Sequence, residues 1–309
     1  MGFVGGTFSG SPFSPSAPSP GSTVHIAMTY CALLTLLALD CDLSNLDAQG
    51  IMEGVKSLQN LDHSKSGNLY GSFSSHSEGS ESDMRFNYCA VVIERVLWKC
   101  INPGVEYDPR DSTYIDKDAL LEYCRGCRCY DGGVGLVPGL ESHGGSYFTC
   151  LATLTILDSV RSVFPSDGDV EGMKRWGLMR QVKGMQGRCN KKEDTCYSYW
   201  VGGGIELLRP HTLDGKGAED MLNTGSLSRF VVGCQHGRFG GFGKTADAPP
   251  DVLHTFYSLA YLAMVGGTEG IGGVSVVYGA GRKVGEWIED ERSYEVLKRV
   301  KEQGEKGGE

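Results

Sequence analysis

The chain has 309 residues, of which 40% are hydrophobic, and this is enough to bury one large core or two small ones. Its 38 acidic and 29 basic residues leave a formal charge of -9. No basic stripe suited to a phosphodiester backbone runs through the sequence, so we expect no nucleic acid partner.

The first predicted helix is the longest apolar stretch, residues 26–39. It contains polar residues and is too short to cross a bilayer, which predicts a buried core helix. No charged segment followed by an apolar one precedes it, as a secretory signal would require. We therefore expect a cytoplasmic chain with no stable membrane insertion.

Glycine-rich turns recur at intervals of roughly 60 residues, and a short polar loop and an apolar helical run follow each one. The turns lie at residues 2–6, 67–71, 131–135, 184–187 and 240–243, and the runs at 26–39, 86–97, 148–157, 197–208 and 253–264. A second, amphipathic helix fits before the next turn, for example at 50–59, 118–127 and 171–182. The repeated unit is a helical hairpin. We predict an all-α fold in which such hairpins form an α/α toroid.

Two polar segments, residues 102–117 and 209–226, interrupt this period and are predicted to be surface insertions. The sequence after Val284 is highly charged, which indicates a solvated helix followed by disorder. We predict one toroid domain over residues 1–290 and a charged C-terminal helix or tail over residues 291–309.

Polar residues that can carry chemistry fall just after the glycine turns, at the starts of the apolar helices. In a ring of hairpins these starts share one rim. His143 opens the third helix; Arg188, Lys191, Asp194 and Cys196 lead into the fourth, and Lys244, Asp251 and His254 into the fifth.

Three of these residues have the chemistry of zinc ligands. Asp194 as an N-cap and Cys196 in the first turn can converge beyond the helix end, where the helix dipole favours a thiolate. With His254 they supply a carboxylate, a thiolate and an imidazole, which suits a catalytic zinc with one open position. A capping Asp beside a buried Cys is the ordinary alternative, and the pattern by itself leaves both open.

A second group on the rim is cationic. His143, Arg188, Lys191 and Lys244 gather positive charge at helix N-termini, where backbone N–H groups bind phosphate. A diphosphate fits such a site; the alternative is a solvated rim of unrelated charges. The closely spaced Cys124, Cys127 and Cys129 lack a fourth ligand at finger spacing, and we interpret them as buried thiols.

Over nearly its whole length the sequence resembles the β subunits of protein prenyltransferases. The matching strings are HIAMTY at 25–30, DMRF at 83–86, YDGG at 130–133, ESHGGS at 141–146, DTCYSYW at 194–200, GGF at 240–242 and DVLH at 251–254. The resemblance implies that Asp194, Cys196 and His254 bind one Zn²⁺. The cysteine thiol of a protein substrate would take the fourth position and attack C1 of an isoprenoid diphosphate.

The resemblance also implies roles for other residues. His143, Arg188, Lys191 and Tyr197 would hold the diphosphate as its charge grows. Tyr88 and Trp200 would face the isoprenoid. His25, Glu81 and Arg85 would lie near the C-terminal carboxylate of the protein substrate, partly through water.

Within the family, the sequence looks most like geranylgeranyltransferase type I. Farnesyltransferases have an Asp at the place of Lys244 for a magnesium ion, whereas the Lys of type I enzymes neutralises the diphosphate, so we expect no Mg²⁺ requirement. Arg85 and Glu81 argue against the Rab enzyme, which does not read a CaaX box. The resemblance implies a helical α subunit as partner, geranylgeranyl diphosphate as donor, and CaaX proteins ending in Leu, such as small GTPases of the Rho, Rac and Rap type, as acceptors.

Three alternatives accompany this interpretation. One is a farnesyltransferase β subunit. Another is a truncated, non-catalytic chain that binds the α subunit, since family members carry further hairpins before the first glycine turn and the ring is expected to be incomplete at its N-terminus. The third is a toroidal glycoside hydrolase, but a cationic rim with a thiol does not suit a reaction that needs two opposed carboxylates.

Overall fold

The structure is a computed structural model, and it describes residues 2–3, 24–77, 81–266, 270 and 272–290. Its helices are α1 (Ile26–Ala38), α2 (Ala48–Lys56), α3 (His63–Ser66), α4 (Met84–Ile101), α5 (Lys117–Gly126), α6 (Gly144–Ile156), α7 (Val160–Val163), α8 (Asp167–Leu178), α9 (Thr195–Leu208), α10 (Ala218–Met221), α11 (Thr224–Gly233), α12 (Val252–Met264) and α13 (Arg282–Glu289). Two short strands, β1 (Val274–Ser275) and β2 (Ala280–Gly281), pair antiparallel. Most of the predicted first glycine turn and the predicted tail at 291–309 lie outside the described residues. Within the described ranges, no helix is both long enough and apolar enough to span a membrane.

All five predicted apolar runs are helices, and each begins at a capping side chain. The caps are His25, Asp83, His143, Asp194 and Asp251, and each accepts a hydrogen bond from a backbone N–H two or three residues further on. Because the cap fixes the first turn, four of the five helices begin before their apolar runs do, and α1 begins where its run begins. Helix α6, for example, starts at Gly144 rather than at residue 148.

The predicted amphipathic helices are also present, shifted toward the N-terminus. They are α2, α5 and α8, in place of residues 50–59, 118–127 and 171–182. Two of the shifts have a visible cause: Asp47 caps α2, and Ser166 with Asp169 forms a capping box at the start of α8.

The interpretation of residues 209–226 as a surface insertion is partly wrong. Helix α10 and the start of α11 lie within this segment, and Ala218 and Leu222 are buried. The Ala218 amide donates to the Glu206 carboxylate (3.1 Å), which ties the segment to the end of α9. Short polar helices like α10 give no periodic signal, which is why the sequence did not reveal it.

The glycine turns share a backbone pattern. The four turns from residue 67 onward are each accompanied by two isolated antiparallel bridges: Gln59 with Phe73 and Ser74 with Ser82; Arg128 with Val134 and Gly135 with Ser142; Gln181 with Met185 and Gln186 with Glu193; Gln235 with Phe242 and Gly243 with Pro250. In α1, α6 and α9, the backbone N–H of the first helical residue donates to a carbonyl in, or just after, the next glycine turn. These bonds run from Ile26 to Ser75 (2.9 Å), from Gly144 to Gly187 (2.8 Å) and from Thr195 to Lys244 (3.1 Å). These bonds hold each helix start against the following repeat.

The contacts within the chain group its residues into two compact units. The first contains residues up to 120 together with those from 286 onward, and the second contains residues 121–285. In the first, α4 packs against α1 and α2, and its residues from Phe86 to Lys99 are all buried, whereas Arg85 in its first turn is exposed. In the second, α9 lies between α6 and α12. Close approach there depends on Gly204, because a Cβ at that position would meet the Tyr147 ring at 2.3 Å. The single domain expected over 1–290 stays a prediction.

Candidate active site

Asp194, Cys196 and His254 meet at the starts of α9 and α12 in the second unit. One ligand atom from each lies within 4.8 Å of the others. The Asp194 Oδ1 atom is 3.3 Å from His254 Nε2 and also accepts the Cys196 amide at 3.0 Å. Among the described residues, no other three His, Cys, Asp or Glu side chains bring donors this close together.

The repeat architecture explains why residues 58 positions apart by sequence meet here, at the spacing of one repeat. The Thr195 amide donates to the Lys244 carbonyl (3.1 Å), and the Thr195 hydroxyl donates to the Gly243 carbonyl (2.9 Å). These bonds fix the start of α9 against the turn that precedes α12. As a result, the first turns of the two helices face one point.

The donor set fits a zinc ion. Asp194 and Cys196 are buried and His254 is partly exposed, so two ligands are shielded from water and the third borders on it. Burial, and then the neighbouring Asp194 charge, raise the pKa of the Cys196 thiol above its usual value. A divalent cation at this point would offset both effects. Oxygen, sulfur and nitrogen donors in this number match zinc with an open fourth position.

A fourth residue, Asp251, orients the histidine. Its Oδ2 atom lies 2.5 Å from His254 Nδ1, and its Oδ1 accepts the His254 amide at 2.9 Å. The bond from the His254 amide lowers the pKa of Asp251, so the carboxylate stays charged. Nδ1 is thereby occupied and Nε2 is turned toward Asp194, as in the carboxylate–histidine pairs that support metal ligands. Sequence reasoning placed Asp251 on the rim but gave it no role; an acidic N-cap three residues before a ligand His was the available signal.

Of the predicted cations, Lys244 borders this point and His143 contacts the first turn of α9. Lys244 Nζ is 3.6 Å from Asp194 Oδ2. His143 Nε2 and the Tyr197 hydroxyl are 2.9 Å apart, and burial raises the pKa of Tyr197 to about 12, so it is a proton donor at neutral pH.

The remaining predicted cations share the turn before α9. Arg188 is half-exposed and pairs with Glu141 at 3.4 Å. Lys191 follows it, and its amide donates to the Arg188 carbonyl (3.4 Å). Asn190 between them has a φ of 59°, the left-handed region, which keeps this turn tight.

A family described as the prenyltransferase alpha-alpha toroid domain matches residues 2–296. The chain belongs to this family. The predicted all-α toroid fold is thus confirmed.

Relatives of the chain include subunits of several prenyltransferases. It is 32% identical to the geranylgeranyl transferase type-1 subunit beta of Arabidopsis thaliana, over 85% of this chain and 65% of that protein. It is 27% identical to the Dictyostelium discoideum subunit of the same name, over 76% and 58%. A protein farnesyltransferase subunit beta from Pisum sativum is 31% identical, over 62% and 41%. The chain therefore spans less than two thirds of the length of each of these relatives.

A solved structure shares the fold. It is Candida albicans protein geranylgeranyltransferase-I complexed with GGPP, with a TM-score of 0.71 and 22% identity, over 87% of this chain and 75% of that chain. At this identity the likeness shows the toroid fold alone.

In this prenyltransferase-family chain, Trp200 belongs to an aromatic cluster formed by α6, α9 and α12 of the second unit. Its ring lies 4.3 Å from Tyr257 and 5.0 Å from Phe148, centroid to centroid. Tyr257 was not singled out from the sequence, although it is one turn after His254 on α12. Tyr88 lies in the first unit, on α4, where its ring contacts Tyr30 at 5.4 Å.

The three predicted peptide-binding residues also lie together, in the first unit. Arg85 pairs with Glu81 and, through Nε at 3.0 Å, with the buried Asp83. His25 packs edge-on against Phe86, with centroids 5.7 Å apart, and the Arg85 guanidinium lies over the same ring. The cluster is therefore compact, and the Arg85 charge is already shared between two carboxylates.

The interpretation of Cys124, Cys127 and Cys129 as buried thiols holds for the first two of them. The first two thiols are buried and Cys129 is partly exposed, and none of the three forms a disulfide within the described part of the chain. The Cys129 thiol donates to the Leu140 carbonyl at 3.3 Å. These contacts describe packed thiols.

Proposed function

We propose that this chain is the β subunit of a heterodimeric, zinc-dependent protein geranylgeranyltransferase type I. It would pair with an α subunit and transfer the geranylgeranyl group from its diphosphate to the cysteine thiol of C-terminal CaaX boxes with Leu last, such as those of Rho, Rac and Rap type GTPases. The observation that carries the proposal is the meeting of Asp194, Cys196 and His254 within 4.8 Å, beside Lys244. The two type-1 relatives support the choice of enzyme.

The residues divide the chemistry between them. Asp194, Cys196 and His254 would hold the metal, and Asp251 would keep the His254 ring in place. Zinc bound there would lower the pKa of the substrate thiol, so that a thiolate is present at neutral pH. In the transfer, sulfur forms a bond to C1 of the isoprenoid, the C1–O bond breaks, and diphosphate leaves with the electron pair.

The cationic rim would stabilise the leaving group. His143 and Tyr197, linked at 2.9 Å, would supply hydrogen bonds, while Arg188, Lys191 and Lys244 would supply positive charge. Such groups act mainly on charge that develops in the transition state, so their loss is expected to lower the rate more than the affinity. Lys244 supplies a cation beside the metal site, which is our reason for proposing that Mg²⁺ is not required.

Two further surfaces complete the proposal. Tyr88 and Trp200 would contact the isoprenoid, and the Trp200 cluster offers apolar area for it. His25, Glu81 and Arg85 would lie near the carboxylate of the CaaX peptide. A farnesyl donor is the alternative, since farnesyltransferase β subunits also match the chain. An assay in which geranylgeranyl and farnesyl diphosphate compete for transfer would show which donor the enzyme prefers. The cytoplasmic location stays a prediction.

Zinc analysis of Cys196→Ala tests the proposal. Purified with its α subunit, the wild-type chain should hold one zinc ion and complete a single turnover with geranylgeranyl diphosphate and a CaaL peptide. The variant should lose both, because a three-ligand site keeps too few donors when the thiol is removed. Cys150→Ala is the matched control, since Cys150 is also buried in the second unit, but its thiol lies on α6 against Cys124 rather than among the three ligands.

The outcomes separate the alternatives. Stoichiometric zinc in Cys196→Ala would rule out the metal assignment. A complex that forms and holds zinc, but transfers neither isoprenoid in a single turnover, would indicate a non-catalytic, α-subunit-binding chain.

A further inference from the structure

A second imidazole lies beside His25. The rings of His25 and His76 are 6.1 Å apart, centroid to centroid, at an interplanar angle of 71°. The loop that carries His76 is fixed to the start of α1, because the Ser75 carbonyl accepts the Ile26 amide at 2.9 Å. The Ser75 amide donates to the Glu81 carbonyl, also at 2.9 Å, so backbone bonds hold both rings in one place.

The surroundings of the two Nδ1 atoms favour the same neutral tautomer in both rings. His25 Nδ1 accepts the Ala27 amide at 3.1 Å, so in the neutral ring the proton is on Nε2. His76 Nδ1 is buried and has no hydrogen-bond partner within the described part of the chain. A buried acceptor without a partner costs less than a buried donor without one, so its proton is also on Nε2. Each ring therefore presents an Nε2–H donor.

Charged side chains surround the pair. Glu81 and Arg85 face His25 together with His76, and Asp83 binds Arg85. Burial, and then the neighbouring His76, lower the pKa of His25. The Arg85 guanidinium is committed to Asp83 and Glu81, which leaves little of its charge for a ligand. An anion that binds at this cluster must find additional donors, and the two imidazoles are the groups that offer them.

We propose that His76 is a further substrate-binding residue, whose Nε2–H joins that of His25 to bind the C-terminal carboxylate of the peptide. This rests on the proposed function, since it takes the peptide site to lie at His25, Glu81 and Arg85. A carboxylate accepts at both oxygens, whereas a C-terminal amide turns an NH₂ donor toward one of the two Nε2–H groups. The pair should therefore distinguish a free carboxylate from an amide.

The test measures binding of a fluorescent tetrapeptide ending in Leu, as the free acid and as the amide, to the zinc-loaded complex with the α subunit. His76→Phe keeps a ring but removes the donor, so affinity for the acid should fall about tenfold while affinity for the amide changes less than about twofold. His76→Gln places an N–H near the position of Nε2 and should recover most of the loss. His76→Asn places its amide near the position of Nδ1 and should not.

His63→Phe is the control, because His63 is an exposed ring of the same unit that stacks on Tyr70. It should leave the ratio of acid to amide affinity unchanged. A wild-type ratio in His76→Phe, or an equal loss for both peptides, would overturn the assignment of His76. Failure of the wild-type complex to bind either peptide would instead reject the proposed function.

Discussion

At the scale of single residues, the candidate metal site combines structural and chemical roles in the same side chains. Asp194 Oδ1 caps α9 through the Cys196 amide and also faces His254, while Oδ2 faces Lys244. Replacing Asp194 therefore removes a helix cap and a ligand together, and a loss of activity would not tell which mattered. Asp251 offers a cleaner separation, because an asparagine preserves a cap but not a carboxylate.

Asp251→Asn should weaken zinc binding without unfolding α12. Asparagine still accepts the His254 amide, but its uncharged side chain no longer orients the imidazole through Nδ1 as a carboxylate does. Loss of such a supporting group typically lowers metal affinity about 10- to 100-fold. Competition with a zinc chelator measures this directly.

Asp47→Asn serves as the control, since Asp47 caps α2 in the first unit and has no part in the metal site. Unchanged zinc affinity in Asp251→Asn would show that His254 needs no support from this carboxylate. Helix content from circular dichroism should be the same in both variants.

Lys244 permits a test of the charge on the rim. Its ammonium lies 3.6 Å from Asp194 Oδ2 and is more than half exposed, so it can reach a bound diphosphate. Lys244→Ala should slow single-turnover transfer about 10- to 100-fold at saturating substrates, with zinc content unchanged, because the lost interaction acts on developing charge. Added Mg²⁺ should restore part of the rate.

The matched variant is Lys183→Ala, which removes an exposed lysine of the same unit. Its rate should equal that of the wild type. A wild-type enzyme that is inactive without millimolar Mg²⁺ would remove the role proposed for Lys244.

At the scale of elements, the sequence predicted the helices better than their limits. Apolar runs mark α1, α4, α6, α9 and α12 because buried helices need them. Their starts depend on capping bonds made by polar residues outside each run, so a periodic signal alone places most of them too late, by as much as four residues in α6. Helix α10 has one turn and no periodicity, and it was therefore missed.

The same reasoning applies to the candidate site. Asp194, Cys196 and His254 stood out because side chains of these types can bind zinc and lie at repeat starts, but the resemblance to prenyltransferase β subunits was needed to favour zinc over an ordinary helix cap. Asp251 and Tyr257 have less distinctive chemistry, since an N-cap aspartate and a helical tyrosine are common in any fold. Their relevance depends on a hydrogen bond to His254 and a ring contact with Trp200, which only coordinates reveal.

Gly187 supports a contact between elements that can be tested. A Cβ at this position would meet the Tyr197 ring at 2.1 Å, so alanine must displace the ring and break its hydrogen bond to His143. Gly187→Ala should lower the free energy of unfolding by about 1–3 kcal/mol and slow transfer. Urea denaturation and the single-turnover assay report the two effects.

Gly172→Ala is the matched control, and we expect it to have the opposite effect on stability. Gly172 lies within α8, and a Cβ there would meet nothing within 4 Å. Alanine should stabilise the protein by about 0.5–1 kcal/mol and leave transfer unchanged, because it removes the entropic cost of glycine in a helix. Equal stability of the two variants would contradict the proposed crowding at Gly187.

At the scale of the whole molecule, the two units carry different parts of the proposed function. The metal ligands, the cationic rim and Trp200 lie in the unit formed by residues 121–285. His25, Glu81, Arg85 and Tyr88 lie in the other. A ligand that binds only one set should therefore leave a local signature in that unit.

Zinc removal provides this test. A metal that binds the folded but not the unfolded chain stabilises it by an amount that depends on concentration, about 2.7 kcal/mol at a hundredfold excess over Kd. Since all three ligands come from the starts of α9 and α12, a chelator should lower the melting temperature and speed amide hydrogen exchange in those first turns. Exchange in α1 and α2 of the first unit should change little. Cys196→Ala, which lacks the site, should show neither response. Faster exchange spread evenly over both units, or an equal chelator effect in Cys196→Ala, would mean that zinc acts elsewhere than at Asp194, Cys196 and His254.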